Sequence, residues 1–327
     1  MLWGFLPDAA HADPNYDPAN RLQAGVYNSV LKLWAPDGNA AAPLVNLATG
    51  FGVIAQAKAD YRAFAAQHQN DALAAAVKAT ADAFDAAFAA VDVYFYKPIP
   101  ELVPEGYARI GDTAGLAKLG VADAKLLADD SSGFYSTIYA KGAVGAPGTK
   151  YLFSCRGTDD GFCSVTLDHG LKMSPDGFAD FGQNFGLKSS QYEEALEVGR
   201  RVASAVDATK GTVIFTGHSL GGGLASAQAL ATSKRAYVFN PSGVAAKTVD
   251  GKTAGANNEI TVYVYRGNWL DKLQADGLGV RPLGKTIAID HLHTAPGAAY
   301  DNPSDWHLLN FVIPGMLAML RSGRLAA

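Results

Sequence analysis

The residues with the clearest capacity for chemistry are Gly217-His218-Ser219-Leu220-Gly221, followed directly by Gly222 and Gly223. A serine hydroxyl is a weak nucleophile until a base takes its proton and fixed donors receive the charge that builds on the attacked carbonyl. Gly-x-Ser-x-Gly meets both needs when a strand enters it and a helix leaves it. The serine then stands on a tight bend with its hydroxyl exposed, and the next N–H points outward from a helix N-terminus. The chemistry this predicts is acyl transfer, with Ser219 attacking an ester carbonyl and the backbone N–H of Leu220 facing the resulting oxyanion. A side chain at Gly217 or Gly221 would collide across so sharp a reversal.

The flanking elements agree with that requirement. The run Gly-Thr-Val-Ile-Phe-Thr at 211–216 is apolar and β-branched, and reads as a buried central strand, while 220–231 has helical spacing of Leu, Ala, Ser and Gln. Strand, elbow and helix in this order mark an α/β-hydrolase fold with a mostly parallel central sheet. Further strands are expected at 150–156, 234–240, 259–266 and 285–290, and helices at 111–128, 193–206 and 308–316. The loop Pro241-Ser242-Gly243 follows a strand at its carboxyl end, where open α/β sheets border their ligand crevice.

Several motifs in fixed order resemble one family. Gly133-Phe134-Tyr135, a strand, Arg156-Gly157-Thr158, Asn184, Gln191-Tyr192, Ala195 and then the elbow resemble the class 3 lipases, the fungal-lipase-like branch of the α/β hydrolases. The resemblance covers roughly 131–320, and its strongest parts are Arg156-Gly157-Thr158 and the elbow. It implies an oxyanion hole from the backbone and hydroxyl of Thr158 together with the N–H of Leu220. It implies a lid in the interval between Thr158 and Gln191, where Phe162, Phe178, Phe181 and Phe185 stand among Gly and Asp. It also places a catalytic acid after the strand at 259–266, where Asp271 is the first choice and Asn268 the alternative, with Asp290 and Asp305 further candidates; Gln274 stands where the family usually has proline. An acid is needed to hold the histidine in one tautomer and to stabilise its cation.

Chain order Ser, acid, His leaves His291, His293 and His307 as bases. His307 immediately precedes the apolar closing helix, where the resemblance puts the catalytic histidine. His218, beside the nucleophile, points away in elbow geometry and reads as structural, while His11, His68 and His169 read as surface residues or hydrogen-bonded side chains. The reading is a Ser219–His307–Asp271 triad in a serine carboxylic-ester hydrolase of lipase type, working through an acyl-enzyme and needing no cofactor and no metal. The alternatives are a phospholipase, with an exported effector as one form of it, and a non-catalytic hydrolase fold that binds a lipid or a protein.

Upstream of this unit the chain changes character. Residues 1–50 carry Pro7, Pro14, Pro18, Pro36 and Pro43 and read as an irregular wrap with a short helix at 26–34. Ile54, Ala57, Tyr61 and Phe64, then Leu73, Val77, Ala81, Phe84, Phe88 and Val91, recur at helical spacing around a break at Gln69-Asn70-Asp71. Two amphipathic helices are expected, their aromatic stripe packed into core, with Asn70 or Asp71 capping the second. The proline-rich stretch near 98–104 is taken as the boundary between an N-terminal irregular and helical extension, 1–104, and a catalytic domain, 105–327.

Composition narrows the partners. Of the 327 residues 49% are hydrophobic and 18% charged, and the net charge is −4 without any Lys/Arg block. That balance argues against nucleic acid or an anionic membrane surface bound by bulk electrostatics, so the chemistry must come from a local site. An acyl-ester or lipid substrate, with transient contact at a lipid interface, is what the resemblance to the class 3 lipases implies. No apolar run reaches the roughly eighteen residues of a spanning helix, and the first residues lack a basic n-region. Cytoplasmic residence or export by another route is expected. Cys155 and Cys163 are close enough in sequence for a disulfide, although two cysteines are also ordinary reduced usage.

Overall fold

The computed structural model describes residues 42–95, 98–129, 132–157, 163–166, 170–173, 190–249, 259–268, 270, 271, 274, 281–290 and 309–325. Among them the strands are β1 (Ala108–Arg109), β2 (Ala128–Asp129), β3 (Phe134–Lys141), β4 (Lys150–Cys155), β5 (Cys163–Thr166), β6 (Gly170–Met173), β7 (Thr212–His218), β8 (Arg235–Phe239), β9 (Ile260–Tyr265) and β10 (Lys285–Ile289). The helices are α1 (Ala42–Gln67), α2 (Ala74–Asp92), α3 (Thr113–Ala117), α4 (Ser190–Ala208), α5 (Leu220–Thr232) and α6 (Leu309–Arg321).

The central sheet runs β1-β3-β4-β7-β8-β9-β10, with β2 also pairing β3. From β4 to β10 every pairing is parallel, and β3 joins β4 antiparallel. This is the α/β-hydrolase architecture, and it puts β7, the strand that ends at the elbow, between two parallel neighbours. β5 and β6 form a separate antiparallel pair within the interval read as a lid.

Period-two alternation divides the strands between two apolar layers. Tyr151, Phe153, Val213, Phe215, Ala236, Val238 and Val262 face α4 and α5. Leu152, Ile214, Phe239, Tyr263 and Ile289 face α1, α2 and α6. Helix α2 lies across β4, β7 and β8, and its Ala83, Ala86, Ala87, Ala89 and Ala90 are fully buried, so small side chains let its backbone approach the sheet. Two strand hydroxyls use that closeness: Thr216 Oγ1 donates to the Ala86 carbonyl at 3.1 Å, and Ser154 Oγ to the Ala89 carbonyl at 3.1 Å. Phe84 and Phe88 fill the space beside the alanines, each worth about 2–3 kcal/mol of burial.

The sequence reading of two helices broken near residue 70 agrees with α1 and α2, but α1 starts at Ala42, well before the expected start at Phe51. Pro43 is the second residue of that helix, where a missing N–H costs nothing because the first turn has no intrahelical acceptor. The side chain of Asp71 accepts from the Leu73 N–H at 2.8 Å, but Leu73 is itself the N-cap of α2 and no side chain caps the helix, so neither Asn70 nor Asp71 takes the capping role expected. The apolar core continues across the connector at 98–104: Leu102 and Tyr107 belong to the same cluster as α2 and the sheet. A buried polar group sits there too. Asp92, fully buried, accepts from the Tyr139 hydroxyl at 2.7 Å and the Ile99 N–H at 2.8 Å, with Arg109 Nη1 at 3.8 Å. Arg109 also donates to the Phe95 carbonyl at 2.6 Å and to Thr137 Oγ1 at 2.6 Å.

Candidate active site

Ser219 occupies the bend between β7 and α5 with φ 56 and ψ −128. A non-glycine residue in that region stores on the order of 1–3 kcal/mol of strain, so the surroundings must hold it. They do so through its main chain. Its N–H donates to the Phe239 carbonyl at 3.1 Å, while its own carbonyl accepts from Gly222 at 2.9 Å, Gly223 at 3.2 Å and Ser242 at 2.9 Å. The residue as a whole is 9% exposed.

The glycines around it are required by backbone contacts. A Cβ at Gly217 would overlap the Gly221 carbonyl, and one at Gly221 would overlap the Cys155 carbonyl. The end of β4 therefore presses directly on the first turn of α5. Leu220 is the first residue of that helix, so its N–H has no intrahelical acceptor and stays available for a ligand oxygen. On the other side stands Gly157, where an added Cβ would lie 2.5 Å from the His218 carbonyl and 3.3 Å from Ser219 Cβ. Arg156, just before it, is buried with its guanidinium 4.7 Å from the Tyr135 ring, and its N–H donates to the Tyr135 carbonyl at 2.9 Å. The next residue, Thr158, lies outside the described residues, as do His307, His291, His293 and Asp305.

Of the four candidates for the acid, Asn268, Asp271 and Asp290 are among the described residues. Asn268 is 1% exposed, and its amide is committed to the turn after β9: Nδ2 donates to the Tyr265 carbonyl at 3.0 Å, and Oδ1 accepts from the Asp271 N–H at 3.1 Å. Asp271 is exposed at the start of the following turn. Asp290 is held between Arg266 and Arg324, at 2.8 Å from each.

Three positions around the site escaped the sequence reading. Asn240, at the end of β8, has φ 41, and its Oδ1 accepts from the Tyr265 N–H at 2.8 Å, tying β8 to β9. An Asn directly before Pro241 is the one local signal for such a turn. Gln274, noticed only as standing in place of a proline, is buried; its amide accepts from the Gly243 N–H and donates to the Pro241 carbonyl, fixing the loop that borders the elbow. Tyr94 shares a 3.0 Å hydrogen bond with Nδ1 of His218, and no spacing rule pairs residues that far apart. His218 is thus buried, with its Nδ1 bonded to Tyr94.

Cys155 is a free, buried thiol whose Sγ lies 3.3 Å from Gln228 Oε1, and burial pushes its pKa up. Among the described residues no group of His, Cys, Asp and Glu could hold a metal, and no helix is long and apolar enough to cross a membrane.

A mostly parallel sheet with helices on both faces and a strained serine between strand and helix defines an α/β hydrolase. More narrowly, the chain belongs to the phospholipase-like family of the Tle-like phospholipase domain, which matches residues 85–298. That match begins within α2. A curated relative, "Extracellular phospholipase A1" of Serratia liquefaciens, is 32% identical over 145 residues, which are 44% of this chain and 38% of that protein. The match therefore spans well under half of the relative's own length. The kinship found is with phospholipases, broader than the class 3 branch that the sequence motifs resemble.

Proposed function

We propose that this protein is a serine hydrolase that cleaves carboxylic esters of phospholipids. The observation that carries the reading is the conformation of Ser219, whose backbone is held in a strained bend between β7 and α5 by four main-chain hydrogen bonds. Membership of a phospholipase-like family, and a relative whose name is phospholipase A1, favour phospholipid over triacylglycerol as the substrate class.

In the mechanism His307 takes the Ser219 proton, and Ser219 Oγ adds to the ester carbonyl. The oxyanion is received by the N–H of Leu220 and by Thr158, one peptide bond beyond the packed Gly157. Asp271 orients the imidazole, which returns the proton to the departing alcohol. Water, deprotonated by the same histidine, then releases the fatty acid from the acyl-enzyme. The likeness to class 3 lipases in Arg156-Gly157-Thr158 supports the oxyanion assignment, and the committed amide of Asn268 supports Asp271 over it.

The test is hydrolysis of phosphatidylglycerol and phosphatidylcholine vesicles beside a triacylglycerol emulsion, by wild type, Ser219→Ala and His307→Ala. Wild type releases fatty acid preferentially from vesicles, and each variant loses at least about three decades of kcat. Equal turnover by Ser219→Ala ends the proposal. Faster release from the emulsion returns the assignment to a triacylglycerol lipase.

A further inference from the structure

Tyr94 leaves the end of α2 and reaches beneath the elbow. Its hydroxyl bonds Nδ1 of His218 at 3.0 Å, and the two rings lie with centroids 6.2 Å apart. The same hydroxyl occupies the space that a Cβ on Gly157 would need, beside the His218 carbonyl. One oxygen thus touches both the strand that delivers the nucleophile and the segment leading to Thr158.

The backbone that carries it is tied down on several sides. The Tyr94 N–H donates to the Val91 carbonyl at 3.2 Å, and Phe95 N–H to the Asp92 carbonyl at 3.0 Å. The helix behind them is bonded to β4 and β7 through Ser154 and Thr216. Asp92, two residues earlier, is gripped by Tyr139 and the Ile99 N–H. A side chain rising from so firmly bonded a backbone and ending in a polar atom at the back of a reactive bend has the properties of a spacer with a defined length.

We propose that Tyr94 is a positioning residue for ester cleavage. Through His218 it fixes the 217–219 bend, and through its contact with Gly157 it sets the gap between Ser219 and the oxyanion-binding segment. The inference rests on the serine-hydrolase reading above. It makes the helical segment before residue 104 part of the reaction's machinery rather than an accessory. Displacements well under 1 Å between nucleophile and oxyanion donors cost rate and leave ground-state binding almost untouched.

The test uses the full chain and a soluble short-chain nitrophenyl ester, so that interfacial binding does not enter. Tyr94→Phe keeps the ring and removes only the hydroxyl. Its kcat is expected to fall about tenfold with KM within about twofold of wild type, and its labelling of Ser219 by a fluorophosphonate to slow by the same factor. In a His218→Leu background the added Tyr94→Phe change is expected to lower kcat by a smaller factor than it does in wild type, because the bond to His218 is already gone and only the contact with Gly157 is left to lose. An unchanged kcat, a change confined to KM, or fully additive effects in the double variant overturns the proposal; should His218→Leu fail to fold, the kcat and KM split of Tyr94→Phe decides alone. Failure of the wild-type protein to label at Ser219 is a different result, and it removes the hydrolase reading together with this inference.

Discussion

Gly157 and Ser219 lie against one another across the active-site bend, so that a methyl group added to Gly157 would stand 3.3 Å from Ser219 Cβ. It would also meet the His218 carbonyl at 2.5 Å, and backbone cannot yield as a flexible side chain can. The contact joins the two halves of the proposed oxyanion site before any ligand arrives, which is the preorganisation that ester cleavage needs.

Gly157→Ala is accordingly expected to reduce kcat by about two decades while the protein stays folded, since loss of one oxyanion donor costs that much. Steady-state kinetics on a nitrophenyl ester, beside a circular-dichroism melt, measures both. Wild-type kcat in a folded variant would show that the segment can shift freely and that the close packing is incidental.

The acid position separates in two measurements. Asp271→Ala is expected to lower kcat by two decades or more with little change in thermal midpoint, because the side chain is exposed and its loss costs no packing. Asn268→Ala is expected to lower stability by about 1–3 kcal/mol, because the Tyr265 carbonyl and the Asp271 N–H lose their partner in a buried turn. Urea unfolding reads the second effect. A catalytic loss at Asn268 larger than at Asp271, in a protein of wild-type stability, reverses the assignment.

Burial pushes the Asp85 carboxyl up to about 6, with Asp82 and Glu105 raising it further and Lys141 and Lys150 opposing. The native protein therefore keeps this proton where the unfolded chain has lost it. The stability that Asp85 contributes is full below its unfolded value, near pH 4, and is lost as pH rises through about 6. Asp85→Asn is expected to match wild type at pH 4 and to be more stable at pH 8, by on the order of 2 kcal/mol. Urea midpoints at the two pH values check this, and a stability difference independent of pH refutes it.

Asp92→Ala should be the most damaging change outside the site. It leaves the buried Arg109 guanidinium without its carboxylate and strands the Tyr139 hydroxyl and the Ile99 N–H. A loss of about 3–5 kcal/mol is expected. Asp92→Asn, which keeps an acceptor for the Ile99 N–H, is expected to lose less. Chemical denaturation of the pair decides it; equal losses mean the charge is irrelevant.

The elbow was readable because sterics at Gly217 and Gly221 leave only one residue type, and the β7 run between glycines could hardly be anything but a buried strand. Periodicity also found α1, α2, α4 and α6 and the apolar stripe on the first two. What periodicity cannot supply is the surface that a stripe meets. The stripe of α2 that carries Phe84 and Phe88 reads as core and is buried, yet nothing local says that the alanines beside it lie on β4, β7 and β8. Composition changes sharply at the prolines near residue 100, so a boundary was drawn there, while packing runs through it by way of Leu102, Tyr107 and the Asp92–Arg109 pair. Gln274 and Tyr94 act through bonds to partners distant in sequence, which no spacing rule encodes.

The alanine-lined helix that roofs the sheet limits how the polypeptide can be shortened. A fragment starting after the prolines would uncover Leu152, Ile214 and Phe239 to water and leave Thr216 and Ser154 without their carbonyl acceptors. Anyone trimming the gene for expression should therefore cut upstream of Ala42, because α1 buries Ile54, Ala57 and Phe64 in the same core, and a library that randomises the segment between Ala83 and Tyr94 will be altering the protein's interior.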